Sequence, residues 1–441
     1  MIGRNGQLHS ADPSAADVVS PIRPTVTLIG RRLDPEHHRL RDFLARGAQP
    51  FVWLEAGSAA ADEALAVIDA PVTSSLPVLI EEGGELLVGA TVERVRVAWQ
   101  LDAGPARSSY DLAIVGGGPA GLAASVYAAS DGLSTIVLEE DVPGGQASHT
   151  SLIENFFGFP DGIGGAELAR LAGRQAERFG AEVMVMRGVT GSHRDDDGCF
   201  RVDVDGGCEV TARVAIAAVG MVWRRLEVEG VDELLDRGVY YGAGRSEAAQ
   251  CGDEPVVVVG AGNSAGQAVM NLAGAGAHVT VVVRGDRLGK SMSAYLVDRI
   301  AEHPLIDVRL RTQVEALEAE DGRLAGVRVT DADGADEALA ARALFLCLGG
   351  IPRTGWATAT GVRLDPRGFV LTGPDLLENG RRPEGWPLAR DPLALETSVP
   401  GLFAAGDVRH GSAKRVAGAV GEGAMAAALV HRRLAEMLLS G

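Results

Sequence analysis

Cysteine is scarce in this chain, with four in 441 residues, and no two are spaced Cys-x-x-Cys. That excludes a disulfide framework and points to reduced thiols. Cations are outnumbered, 41 Lys plus Arg against 59 Asp plus Glu, for a formal charge of −18. No basic stripe interrupts the acid excess, which argues against a nucleic-acid partner. No apolar run reaches the roughly 18 residues of a membrane span. The N-terminus lacks the basic-then-apolar layout of a signal peptide. The expectation is a cytoplasmic protein of roughly two to four domains, with no membrane partner and no metal site.

Glycine is abundant, at 58 residues, so only glycines in a defined context carry information. Asp111–Val115 reads as a buried strand, followed at once by Gly116-Gly-Gly118-Pro119-Ala120-Gly121. Leu122–Ser130 is a breaker-free run of small apolar residues suited to a tightly packed helix. Ser134–Leu138 is a second buried strand, and Glu139 ends it, 18 residues beyond Gly121. This is a G-x-G-x-x-G dinucleotide fingerprint in its strand–turn–helix setting. Gly116 allows the tight turn, Gly118 lets a pyrophosphate approach the backbone, and Gly121 lets helix and strand pack closely. The helix N-terminus offers free N–H groups to phosphate. Glu139 is placed to accept hydrogen bonds from a ribose diol.

A second unit of the same kind begins at Pro255–Val259. Gly260-Ala-Gly262-Asn263-Ser264-Ala265 opens its helix, and Val279–Val283 is its next strand. Arg284 stands where an NAD-binding unit carries an acid, with Arg287 and Lys290 close behind. A guanidinium binds a 2′-phosphate through paired hydrogen bonds where an acid would repel it, so NADPH is expected over NADH.

The first 104 residues differ in character. Residues 1–21 are small and polar and read as a flexible tail. Residues 22–104 give strand, helix (Pro35–Arg46), strand, helix (59–68), a hairpin of 76–80 with 85–88 around Gly83-Gly84, and a last helix over 91–100. This order resembles the thioredoxin or glutaredoxin fold. Where that family keeps its redox dithiol, this chain has Gly30-Arg-Arg-Leu-Asp-Pro35, and no cysteine precedes Cys199. The resemblance therefore implies a docking or packing module without thiol–disulfide exchange.

From about residue 108 onward the chain resembles the thioredoxin reductase branch of the FAD-dependent pyridine nucleotide–disulfide oxidoreductases. The resemblance rests on the two fingerprints, Gly144-Gly145-Gln146, Glu154-Asn155-x-x-Gly-Phe-Pro160, a strand ending at Gly220, an apolar strand 343–348 followed by Gly349-x-x-Pro352, and Gly406-Asp407. It implies that Gly144, Gly145, Gln146 and Asn155 contact FAD. It implies too that Asp407 holds the ribityl chain and that the helix opening near Arg415, Val416 and Ala417 stabilises negative charge on reduced flavin. The implied fold class is α/β, with two Rossmann-like domains after the thioredoxin-like one. A discontinuous FAD domain (108–234 and 342–441) would enclose an inserted NADPH domain (235–341). A homodimer is implied as well.

One element of that family is absent. Its Cys-x-x-Cys precedes the second fingerprint after a Gly-Val-x-Tyr segment; here Gly238–Ser246 fills the place. Cys251 lies downstream and alone and reads as a buried small hydrophobe. Electrons would then leave directly to an external acceptor, a small molecule or a redox protein. Gly242, Gly244 and Arg245 would line its approach and count as the candidate catalytic positions. A non-catalytic redox sensor or scaffold, and a disulfide reductase using a partner's cysteines, stand as alternatives. Cys199 and Cys208 flank a hairpin turn at 205–207 and are open to facing one another or to standing as two separate thiols. Residues 376–396, rich in Pro and charge, read as a surface excursion.

Overall fold

The computed structural model describes residues 24–67, 75–101, 103–242 and 245–440; the expected tail, 1–21, lies outside them. The first unit contains β1 (Val26–Gly30), α1 (Pro35–Arg46), β2 (Phe51–Glu55), α2 (Ala59–Val67), β3 (Val78–Ile80), β4 (Leu86–Val88) and α3 (Val92–Ala98). Its sheet runs β2-β1-β3-β4, with β1 parallel to β2 and antiparallel to β3. Helix α1 starts where the sequence dictates. Pro35 supplies a pre-set φ at the first turn, and the Asp34 carboxylate accepts from the N–H groups of Glu36 and His37. Leu40, Phe43 and Leu44 of α1 bury against Leu28 and Leu79 of the sheet.

Next come β5 (Ser109–Val115), α4 (Pro119–Ser130), β6 (Thr135–Leu138), α5 (Gly165–Arg178), β7 (Glu182–Met184), β8 (Val189–Arg194), β9 (Phe200–Val204), β10 (Cys208–Ala217) and β11 (Met221–Trp223). The sheet order is β7-β6-β5-β10-β9-β8. Strands β5 and β6 are parallel neighbours in its interior and are apolar along most of their length, the signature of strands covered on both faces. Strand β8 escapes the sequence reading because its residues are mostly exposed and lack apolar alternation. In the β9–β10 hairpin Cys208 pairs with Val204 beside the turn, whereas Cys199 precedes β9 at the far end. The two thiols therefore do not face one another, and both are free.

The third group is β12 (Val239–Tyr241), α6 (Arg245–Cys251), β13 (Pro255–Val259), α7 (Asn263–Gly274), β14 (His278–Val283), α8 (Ala294–Glu302), β15 (Ile306–Leu310), and a meander of β16 (Thr312–Glu320), β17 (Arg323–Asp331) and β18 (Asp336–Ala340), followed by β19 (Ala343–Leu346). Strands β12-β19-β13-β14-β15 make one parallel sheet. This corrects the expected return to the first nucleotide unit at residue 342. Strand β19 pairs with β12 and β13 in the second sheet. An apolar strand buried on both faces carries no mark of which parallel sheet it joins. The return comes with β20 (Gly350–Pro352), which pairs with β11.

After β20 come α9 (Ala357–Thr360), β21 (Leu402–Ala404) and α10 (Val416–Ser440). Strand β21 lies beside the C-terminal half of β10. The segment over 376–396 is a surface excursion only in its middle. Its end is anchored by Glu396, fully buried, which pairs with Arg390 at 2.6 Å and accepts from the N–H groups of Leu393 and Gly401. Among the described residues no helix is long and apolar enough to cross a membrane.

Candidate functional site

The first fingerprint folds as its glycines require. Gly116 has φ +105°, and a Cβ there would meet the Ala218 carbonyl oxygen at 2.5 Å. A Cβ on Gly121 would lie 1.9 Å from the Gly116 carbonyl oxygen, so only glycine permits this contact between α4 and the turn. Gly118, by contrast, faces open space. That space belongs to a cavity of about 1070 Å³ reaching from the fingerprint to α10.

Glu139 lies on this cavity with a more constrained role than the sequence suggested. Its Oε2 accepts from the Gly117 N–H at 2.6 Å and its Oε1 from the Asp141 N–H at 2.9 Å. The carboxylate thus braces the turn it faces. Burial pushes its pKa up, partly opposed by those two hydrogen bonds.

Of the positions singled out from sequence, Gly116, Gly118, Pro119, Ala120, Gly145, Gln146, Asn155, Gly220, Gly406, Asp407, Arg415, Val416 and Ala417 all line this cavity. Asn263 and Ser264, at the start of α7, reach it from the second nucleotide unit. Gln146 donates through Nε2 to the Met221 carbonyl at 2.9 Å, tying the Gly-Gly-Gln turn to β11. Burial raises the Asp407 carboxyl above its usual range.

Other positions stand off the cavity. Gly121 and Gly144 serve packing, the latter against Ala169. Gly260 allows a close approach to Cys347, whose carbonyl oxygen a Cβ would meet at 2.4 Å, and Gly262 is open. Ala265 is fully buried. Arg284, Arg287 and Lys290 are exposed beyond the end of β14. The turn of this second fingerprint is braced by residues the sequence reading missed: Ser291 donates to the Ala261 carbonyl, and the Ser293 N–H donates to Asn263 Oδ1 at 2.7 Å. Gly349 lies between β19 and β20, where its carbonyl accepts from the Arg224 N–H.

Gly244 and the side chain of Arg245 lie outside the described residues. Gly242 borders a second, water-sized cavity whose walls include His149, Trp223, Ser264, Gln267 and Cys347. His149 and Trp223 line the large cavity as well, so one layer of side chains separates Gly242 from it. The His149 and Trp223 rings meet edge to face at 5.9 Å, and burial lowers the histidine's pKa. Neither residue carried a sequence signal, since a lone His and a lone Trp match no motif. The two thiols nearest this region, Cys251 and Cys347, are buried, and desolvation pushes each up to about 12. Burial of this kind disfavours the thiolate, the form that acts as a nucleophile.

Sequence reasoning also missed charges that arrive from afar. Glu139, Glu140 and Asp141 follow β6 in a row at the cavity edge. Arg353, just past β20, grips Glu140 with both terminal nitrogens. Arg46, the last residue of α1, bonds Asp141 at 2.6 Å. Glu422 of α10 accepts from the Gly406 N–H at 2.8 Å and pairs with Arg409. Among the described residues no cluster of His, Cys, Asp or Glu could hold a metal ion.

A flavin dinucleotide fits this cradle. The opening at Gly118 and the free start of α4 suit a pyrophosphate, and the volume suits a large extended ligand. Comparison with known proteins agrees. The chain is 31% identical over 332 residues to a thioredoxin reductase of Bacillus subtilis, covering 74% of this chain and 96% of that protein. It is 30% identical over 332 residues to a thioredoxin reductase of Listeria monocytogenes, covering 74% of this chain and 95% of that one. Among solved structures, a thioredoxin reductase of T. acidophilum superimposes with a TM-score of 0.64 at 27% identity, covering 74% of this chain and 99% of that one. One from Lactococcus lactis, in its FR conformation, gives 0.65 at 27%, with the same coverage. Thioredoxin reductase-like members use FAD and NADPH, and these are the cofactors of this chain. Residues 110–423 match the family described as pyridine nucleotide-disulphide oxidoreductase, and the chain belongs to that family of oxidoreductases.

Proposed function

We propose that this chain is an FAD-dependent NADPH oxidoreductase that delivers electrons directly to an external acceptor, without an internal dithiol. The observation that carries this reading is the place before the second fingerprint. Gly242 and the start of α6 hold no cysteine, and burial of the nearest thiols disfavours their thiolates. FAD, when bound, accepts a hydride from NADPH and passes two electrons on. The chain's residues do the rest. The turn at Gly116–Gly121, braced by Glu139, seats the pyrophosphate. The N–H groups at the start of α10, near Val416 and Ala417, stabilise negative charge at the far end of the cavity. Asn263 and Ser264 bring the second nucleotide unit to the same cavity. Arg284, Arg287 and Lys290 hold the 2′-phosphate of NADPH. Gly242, Gly244 and Arg245 are the candidate positions for the acceptor's approach, and Gly242 lies beside His149 and Trp223.

In this reading residues 22–104 form a thioredoxin-like domain without redox chemistry; the strand order and directions of its sheet support that. The protein works in the cytoplasm as a homodimer built on its FAD units, and light scattering at micromolar concentration tests the dimer. The function is tested by anaerobic mixing with NADPH, followed by a screen of quinones, disulfides, ferredoxin and oxygen as acceptors. Rapid bleaching of the flavin and turnover with one acceptor class support the oxidoreductase. A flavin that binds but does not bleach favours a sensor.

A further inference from the structure

The first unit and the FAD cavity share a boundary that no motif accounts for. Arg46 closes α1, where a cation suits the helix's negative end. Its side chain is 15% exposed and bonds two carboxylates, Asp42 through Nε at 2.7 Å and Asp141 through Nη1 at 2.6 Å. Arg46 also lines the large cavity, so a side chain from the first unit forms part of its wall. Asp141 is the third of three consecutive acids there. Glu139 is satisfied by backbone N–H groups and Glu140 by Arg353. Arg46, shared with Asp42, is the cation that pairs with Asp141. The next residue, Val142, is 7% exposed and packs into the first unit's core with Leu40, Phe43 and Leu44. The turn that leads from Glu139 to Gly145 and Gln146 is thus held by the first unit through one ion pair and one apolar anchor.

Elsewhere the docking contact is mixed, with Met186 packed against the first unit's core and ion pairs around it. Arg32 pairs with Glu254 at 3.1 Å, Arg39 with Asp236 at 3.2 Å, and the His38 ring lies 4.9 Å from that of Tyr240. Arg41 is 2% exposed beside these groups; its Nη2 meets His38 Nδ1 at 2.8 Å and its guanidinium stacks on Trp53, while Nε and Nη1 lack hydrogen-bond partners. A ligand that touches the border of such a contact is coupled to docking.

We propose that the first unit completes the FAD site: Arg46 offsets the Asp141 charge at the cavity edge, so that FAD binding and docking of residues 24–101 stabilise each other. FAD carries a dianionic pyrophosphate, and an uncompensated carboxylate at the wall repels it. The proposal rests on the flavoprotein reading above and assigns that site a residue outside both nucleotide-binding units.

The test uses the full-length protein, stripped of flavin and titrated with FAD by fluorescence quenching at low ionic strength. Arg46→Ala should weaken FAD binding by about tenfold, and added salt should narrow the gap. Arg46→Ala combined with Asp141→Asn should recover to within about threefold of wild type. Should Arg46→Ala fail to fold, Asp141→Asn alone decides: it should bind FAD at least as tightly as wild type. Linkage adds a second readout, since FAD should slow amide hydrogen exchange in α1. The proposal is overturned if Arg46→Ala binds FAD like wild type, if the double variant is no better than Arg46→Ala, if Asp141→Asn binds more weakly, or if FAD leaves exchange in α1 unchanged. A wild-type protein that takes up no FAD would overturn the flavoprotein reading itself.

Discussion

The two fingerprints of this chain share one architecture and differ at three points. Both place a strand with parallel neighbours on each side, a glycine turn and a helix at the centre of a sheet. The third small position is Gly121 in the first and Ala265 in the second. The second strand ends in buried Glu139 in the first and exposed Arg284 in the second. The first turn is braced by its own carboxylate, the second by Ser291 and Ser293 from the following loop. The glycines set the turn, and the residue after the second strand sets the electrostatics. In the function proposed above, that difference assigns the first site to FAD and the second to NADPH.

The largest expected effect breaks this comparison at its third position. Gly121→Ala puts a methyl 1.9 Å from a carbonyl oxygen and should cost about 3 kcal/mol or more, since α4 must shift. Ala265→Gly at the matching place should cost only about 1–2 kcal/mol. Chemical denaturation of both variants checks the ranking, and equal losses would refute it.

A smaller effect concerns the second strand's end. Arg284→Ala should remove a charge-assisted contact worth about 1.5–3 kcal/mol and narrow the NADPH over NADH preference accordingly. Steady-state ratios of kcat/KM for the two nucleotides measure this. An unchanged ratio would show that Arg284 does not hold the 2′-phosphate.

The smallest sharpens the contrast between buried Glu139 and exposed Arg284 through pH. Burial raises the Glu139 pKa in the folded protein. The folded state therefore holds this proton more firmly than the unfolded chain, and the associated stability is lost as pH rises past the ordinary carboxylate range. Glu139→Gln removes that dependence. Between about pH 4 and about pH 7, the Tm of the flavin-free variant should shift upward relative to wild type. A constant difference would mean that Glu139 titrates like an exposed acid.

Much of this was legible in the sequence because the signals are local. The bounds of α1 follow from Asp34, Pro35 and the apolar spacing, and both fingerprints follow from glycines flanked by buried strands. The membership of β19 was not legible, because Ala343–Leu346 suits either parallel sheet equally. Nor were Arg46, Arg353 and Glu422, ordinary charged residues whose partners lie 95, 213 and 16 positions away. The His149–Trp223 pair joins two segments by tertiary packing alone.

Direct electron transfer is tested most sharply by replacing Cys199, Cys208, Cys251 and Cys347 together by Ser or Ala, and following flavin reduction by NADPH and acceptor turnover in one stopped-flow series. With no thiol in the electron path, both rates should stay within about twofold of wild type. If Cys251→Ser alone abolishes turnover while flavin reduction remains normal, the electrons pass through a thiol and direct transfer is contradicted.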